Sequence, residues 1–178
     1  MTELSFSRIA ALSAVLLLAP ASAPAADEAE ITAETFGCLT DMTPVRGFFV
    51  DNLLGDLEAT LGIANSADGG VYPPGSVVQL VPTEVMVKRG AGWSPETNDW
   101  EFFELNVSAD GSSFRGRGTT DVINRFGGNC LDCHILAEPQ WDMICETGHG
   151  CAPIPITREQ ITAIQNADPR CVAPKAVD

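Results

Sequence analysis

The sequence predicts an α+β fold, a mainly antiparallel β-sheet with a few flanking helices. Two observations carry that expectation. Apolar and β-branched runs separated by short turns fill the middle of the chain, from about residue 76 to residue 122, while helix signals lie before and after them. The connections between the runs are short, as antiparallel neighbours allow and parallel crossovers do not.

In chain order, Ala26 to Thr35 is acidic, small in its side chains and without apolar periodicity, which predicts a mobile leader. Thr43 and Pro44 have the form of a helix cap and first position, and Phe49, Leu53, Leu57 and Leu61 recur every fourth residue. That spacing predicts an amphipathic helix over Pro44 to Leu61, weakened by Gly47 and Gly55. Tyr72-Pro73-Pro74-Gly75 is a turn, followed by a strand from Ser76 to Val81 that Pro82 ends. Glu84 to Arg89 alternates, Val85 and Val87 on one side, Met86 and Lys88 on the other, and Lys88 is expected to face solvent. Trp100 to Val107 makes a third strand, placing Phe102 and Phe103 on opposite faces. Asp110-Gly111 turns into a fourth, Phe114 to Val122. A short helix is expected over Cys130 to Ala137. A capping box, Thr157 with Gln160, starts a last helix from Arg158 to Ala167 that packs through Ile161 and Ile164.

The organisation around these elements is that of an exported chain. Arg8, the apolar run Ile9 to Ala19 and the site Ala23-Pro24-Ala25 read as a cleaved signal over residues 1–25. That run has 11 residues, short of the roughly 20 that span a bilayer, so no membrane anchor is expected and the mature chain is placed in the periplasm or outside the cell. Residues 26–43 form the acidic leader and N-terminal segment, 44–143 the main domain, and 144–178 a disulfide-stapled extension. The net charge of −14 repels phosphate backbones, which argues against nucleic acid as a partner. It suits a basic protein partner instead.

Six cysteines fall in the mature part. Cys130-Leu131-Asp132-Cys133-His134 has the pattern of c-type haem attachment, in which two thiols add to vinyl groups and the imidazole ligates iron. Cys38, Cys145, Cys151 and Cys171 remain, an even number suited to two disulfides in an oxidising compartment. Of three possible pairings, Cys145 with Cys151 closes a short loop and Cys38 with Cys171 ties the two ends together; that pairing is favoured. A zinc site from Cys130, Cys133, His134 and His149 is disfavoured, because three of the four would crowd one ion. No nucleophile elbow, phosphate loop or His-Glu-x-x-His motif is present.

The order Tyr72-Pro-x-Gly-Ser with two aliphatics after it, then Trp100-x-Phe102, then Cys130-x-x-Cys133-His134, then Trp141, resembles the cytochrome P-460 and cytochrome c′-beta family over about half the chain, roughly Leu57 to Asp142. The resemblance implies a small sheet-rich fold with one haem c packed against the strands, often as a homodimer. It implies binding of a small ligand such as nitric oxide or, in the cross-linked branch, oxidation of hydroxylamine. That branch carries a lysine where this chain has Leu80, so the resemblance leans to a mono-haem cytochrome for electron transfer or gas binding rather than to a redox enzyme. A disulfide-stapled module without haem is the third reading.

Under the haem readings Cys130 and Cys133 are thioether anchors and His134 the proximal ligand, with Leu80 and Phe102 as haem contacts. His149, Met42, Met86 and Met143 are candidates for the sixth ligand of the iron. A protein redox partner and a small diatomic or nitrogen ligand follow from those readings.

Overall fold

A computed structural model describes residues 30–171, so the expected signal segment lies outside the described residues. Six strands form one antiparallel meander in the order β1 to β6: β1 Thr43–Val45, β2 Phe48–Asn52, β3 Ser76–Val81, β4 Glu84–Lys88, β5 Trp100–Ser108 and β6 Gly111–Gly118. Three α-helices flank the sheet: α1 Leu57–Ala64, α2 Cys130–His134 and α3 Arg158–Asn166. The expected α+β class with an antiparallel sheet stands.

Residues 43–52 correct the sequence reading most. The expected helix from Pro44 to Leu61 is a hairpin, a turn and a shorter helix. Arg46 and Gly47 both take positive φ, 45° and 117°, which suits a two-residue hairpin loop and ends any helix. Val45 then pairs with Phe48 across it. Along β2 burial alternates, with Phe48, Val50 and Asn52 inside, the period of a strand. Pro44 is tolerated because β1 is an edge strand. Only after Gly55 (φ 85°) does the helix begin, with Asp56 accepting from the Ala59 N–H at 3.3 Å.

The two sheet faces carry separate cores. On one, Val45, Phe48, Val50, Val78, Met86, Trp100 and Phe102 pack with Tyr72, Val122, Met143 and Ile144. On the other, Val77, Val85, Val87, Phe103 and Leu105 are covered by Ile31 and Phe36. The segment expected to be a mobile leader is thus partly built in, with Ile31 buried and its carbonyl accepting from Arg117 at 2.9 Å. Arg117 also bonds Glu101 at 2.6 Å and lies over the Phe103 and Phe114 rings.

Two further expectations change on burial. Lys88 does not face solvent; it is 5% exposed, and its ammonium donates to both oxygens of Asp142 at 2.7 and 2.8 Å and to the Asn98 carbonyl at 2.6 Å. Helix α3 has the expected capping box, but Ile164 stays exposed and the buried contact is Gln165, donating to the Gly47 and Leu80 carbonyls at 2.8 and 2.7 Å. A buried amide with two paired donors satisfies strand-end carbonyls that an isoleucine could not. The last strand ends at Gly118 rather than Val122, beyond which Val122 turns into the core.

Candidate thiol site

Helix α2 is five residues long, and its position is fixed from both sides. Asn129 caps it, its side-chain oxygen accepting from the Asp132 N–H at 3.2 Å while its amide donates to the Thr120 carbonyl at 2.8 Å. The approach loop turns at Gly127 (φ 87°), where Asn124 accepts from the Phe126 and Gly128 N–H groups at 3.0 and 2.9 Å. Cys130 then donates its N–H to the Val122 carbonyl at 3.0 Å. One helical turn brings Cys130 and Cys133 to the same side of α2; Cys130 is half-buried against the sheet core, and Cys133 is exposed.

His134 is held by the core. Its Nδ1 lies 2.7 Å from the Met143 carbonyl, which can only accept, so Nδ1 carries the proton and Nε2 keeps the lone pair. Burial lowers the imidazole pKa below its ordinary value, against the opposing hydrogen bond to Met143. The ring packs 5.5 Å from Phe102. Met143 is in turn fixed by its neighbour Asp142, which takes the Lys88 ammonium, the Tyr72 N–H at 2.9 Å and, on its carbonyl, the Trp100 indole at 2.8 Å. The expected landmarks Tyr72, Trp100 and Trp141 thus lie around the segment that orients His134.

The other four cysteines are bridged, Cys38 to Cys171 and Cys145 to Cys151, leaving Cys130 and Cys133 as free thiols. Cys130 feels the charge of an acidic pair that periodicity does not reveal. Glu84 and Glu104 are register partners on β4 and β5. Glu104 is fully buried; one oxygen takes the Arg125 guanidinium at 2.8 Å and lies 3.7 Å from Arg115, while the other has no partner. Burial first, then the charges of Glu84 and Glu104, push the Cys130 thiol up to about 12. Burial, then Glu104, push Glu84 up to about 7, against the pull of Arg125.

A stability prediction follows from Glu84. Its folded pKa exceeds the ordinary 4.5, so the native chain holds this proton more tightly than the unfolded one. The stabilisation is complete below about pH 4.5 and is lost as pH rises through about 7, by on the order of 3 kcal/mol. Urea midpoints should therefore fall between those pH values in the wild-type chain. In Glu84→Gln that fall should be shallower, and an unchanged slope would refute the assignment.

Of the remaining site expectations, Leu80 is half-buried against the same core and Phe102 lies within it. His149 is held by two neighbours. Its ring stacks on Trp141 at 3.8 Å and its Nδ1 bonds the Ile144 carbonyl at 2.7 Å, in a small hollow with Arg46, Tyr72 and Glu146. Met42 packs on the opposite sheet face. Among the described residues, no group of three or more His, Cys, Asp and Glu side chains is placed to hold a metal ion. On that finding the iron-centred expectations are corrected: the haem c, the mono-haem cytochrome for electron transfer or nitric oxide binding, and the redox enzyme acting on hydroxylamine.

The geometry defines a disulfide-containing α+β domain with a free dithiol at the margin of one sheet face. No family model, curated protein or solved structure matches the chain, and the resemblance to the cytochrome P-460 and cytochrome c′-beta family is corrected together with the iron site.

Proposed function

We propose that this chain is an exported binding module, stapled by two disulfides, in which Cys130 and Cys133 form a covalent capture site for a small thiol-reactive ligand. One observation carries the reading: four of six cysteines are bridged and the two left free stand one helical turn apart. In an oxidising compartment an unbridged pair is available for reaction. Its surroundings suit an apolar ligand. Leu80, Met86 and Phe102 lie in the core that Cys130 joins, and Phe126, Ile135 and Leu136 stay exposed around α2, Phe126 at 75%.

Export rests on the signal pattern in residues 1–25, and the acidic surface suits a basic partner. The test is a thiol count. Alkylating the folded, unreduced protein with N-ethylmaleimide should add two groups, mapped to Cys130 and Cys133, with Cys133 reacting first because it is exposed. Addition of none, with a third disulfide between Cys130 and Cys133, would make the pair structural and end the proposal.

A further inference from the structure

Large apolar side chains stay exposed before and after α2. Ile123 and Phe126 precede it, at 47% and 75%, and Ile135 and Leu136 follow it, at 55% and 53%. Single exposed apolar residues are ordinary on a protein surface, but several on one short segment mark a contact site. These are also carried on a fixed backbone. The Asn124 N–H donates to the Gly128 carbonyl at 2.9 Å, closing the loop that presents Phe126, and Ile123 bridges to Asn129, the cap of α2. Beyond the helix, the Ile135 N–H donates to the Leu131 carbonyl at 2.8 Å and the Glu138 N–H to the His149 carbonyl at 2.7 Å. Little ordering remains for a partner to impose.

The charge on the same segment narrows what it fits. Asp121, Asp132 and Glu138 are exposed there. Arg125, the sole lysine or arginine between Asp121 and Glu138, is engaged with the sheet, donating to Glu104 at 2.8 Å and to the Leu105 carbonyl at 2.7 Å. Other cations are likewise taken up inside the chain, Lys88 by Asp142, Arg46 by Glu146, Arg117 by Glu101 and Arg170 by Asp168. The carboxylates around α2 therefore act on whatever approaches from outside. They repel anionic lipid headgroups and favour a cationic protein surface.

We infer, resting on the capture reading and naming the partner of the same site, that the outer side of α2 docks a protein through a basic amphipathic segment. Phe126 and Leu136 receive its apolar face, and Asp132 and Glu138 meet its lysines or arginines. That seat lies over the exposed Cys133.

The probe is a fluorescein-labelled amphipathic helical peptide of Lys and Leu, followed by anisotropy, with a Glu and Leu peptide as control. The wild-type chain should bind the first and not the second, with an affinity that falls as salt rises. Phe126→Ser should weaken binding about 10-fold or more, the loss expected of an aromatic anchor. Asp132→Asn with Glu138→Gln should flatten the salt dependence, while Leu54→Ser with Glu58→Gln, outside this segment, should change nothing. Carbodiimide should join peptide lysines to Asp132 or Glu138. Absence of binding, or equal losses from Phe126→Ser and the outside pair, overturns the docking. So do cross-links from these carboxylates to Lys175 of the same chain or to a second copy, and so does capture on phosphatidylcholine vesicles that Phe126→Ser abolishes. The maleimide count at Cys130 and Cys133 is read separately, so a failed docking leaves the capture reading standing.

Discussion

Asp142→Asn should lower the stability of this domain by about 3–5 kcal/mol, the cost of leaving one member of a buried ion pair without its partner. The Lys88 ammonium is buried, and both Asp142 oxygens lie within 2.8 Å of it. Removing the carboxylate charge leaves that buried ammonium without a counter-ion, held only by neutral acceptors, the Asn98 carbonyl and the single amide oxygen of the new side chain. In a chain of this size the loss corresponds to a fall of roughly 10 °C or more in the melting midpoint. The effect should extend to the thiol site, because Asp142 precedes the Met143 carbonyl that holds His134. Replacing both partners, Lys88→Met with Asp142→Asn, should recover part of the loss. If the single variant melts within a degree or two of wild type, the pair is not the clamp described.

Breaking the Cys38–Cys171 bridge should cost a similar amount. The bridge closes a separation of 133 residues, and a loop of that length is worth about 3–5 kcal/mol in chain entropy. It is reinforced locally by Asp168, which accepts the Leu39 N–H at 2.9 Å and the Arg170 guanidinium at 2.7 Å. Cys38→Ser with Cys171→Ser should therefore unfold at markedly lower urea. Cys145→Ser with Cys151→Ser, which opens a separation of only 6 residues, should cost less. Equal losses would show that local packing, not loop closure, sets the effect.

The parts of the fold legible in the sequence are those with a local signal. Strand β3 runs from Ser76 to Val81 as its apolar, β-branched run predicts, and α3 begins at the Thr157–Gln160 capping box. Residues 43–61 misled because spacing by four and alternation by two coincide on Phe49, Leu53, Leu57 and Leu61. The positive φ of Arg46, which selects the hairpin, leaves no trace in composition. The sequence makes Lys88 look exposed because its partner lies 54 positions away, a separation no periodicity reports.

The same limit applies to the site. Cys130, Cys133 and His134 stand out by spacing alone. Glu84, Glu104 and Arg125 do not, since each is an ordinary charged residue until the register of β4 and β5 brings them together. For His149, residue type makes it a candidate, but nothing in the sequence announces the stack on Trp141.

The central claim is that Cys130 and Cys133 are free to take a ligand covalently, and the state of their sulfurs in the chain purified without reductant tests it most directly. Intact mass before and after N-ethylmaleimide treatment, without reduction, should show two added groups, with Cys130→Ser and Cys133→Ser each removing one. A chain that takes up no maleimide because these two cysteines are bridged to each other would contradict the claim.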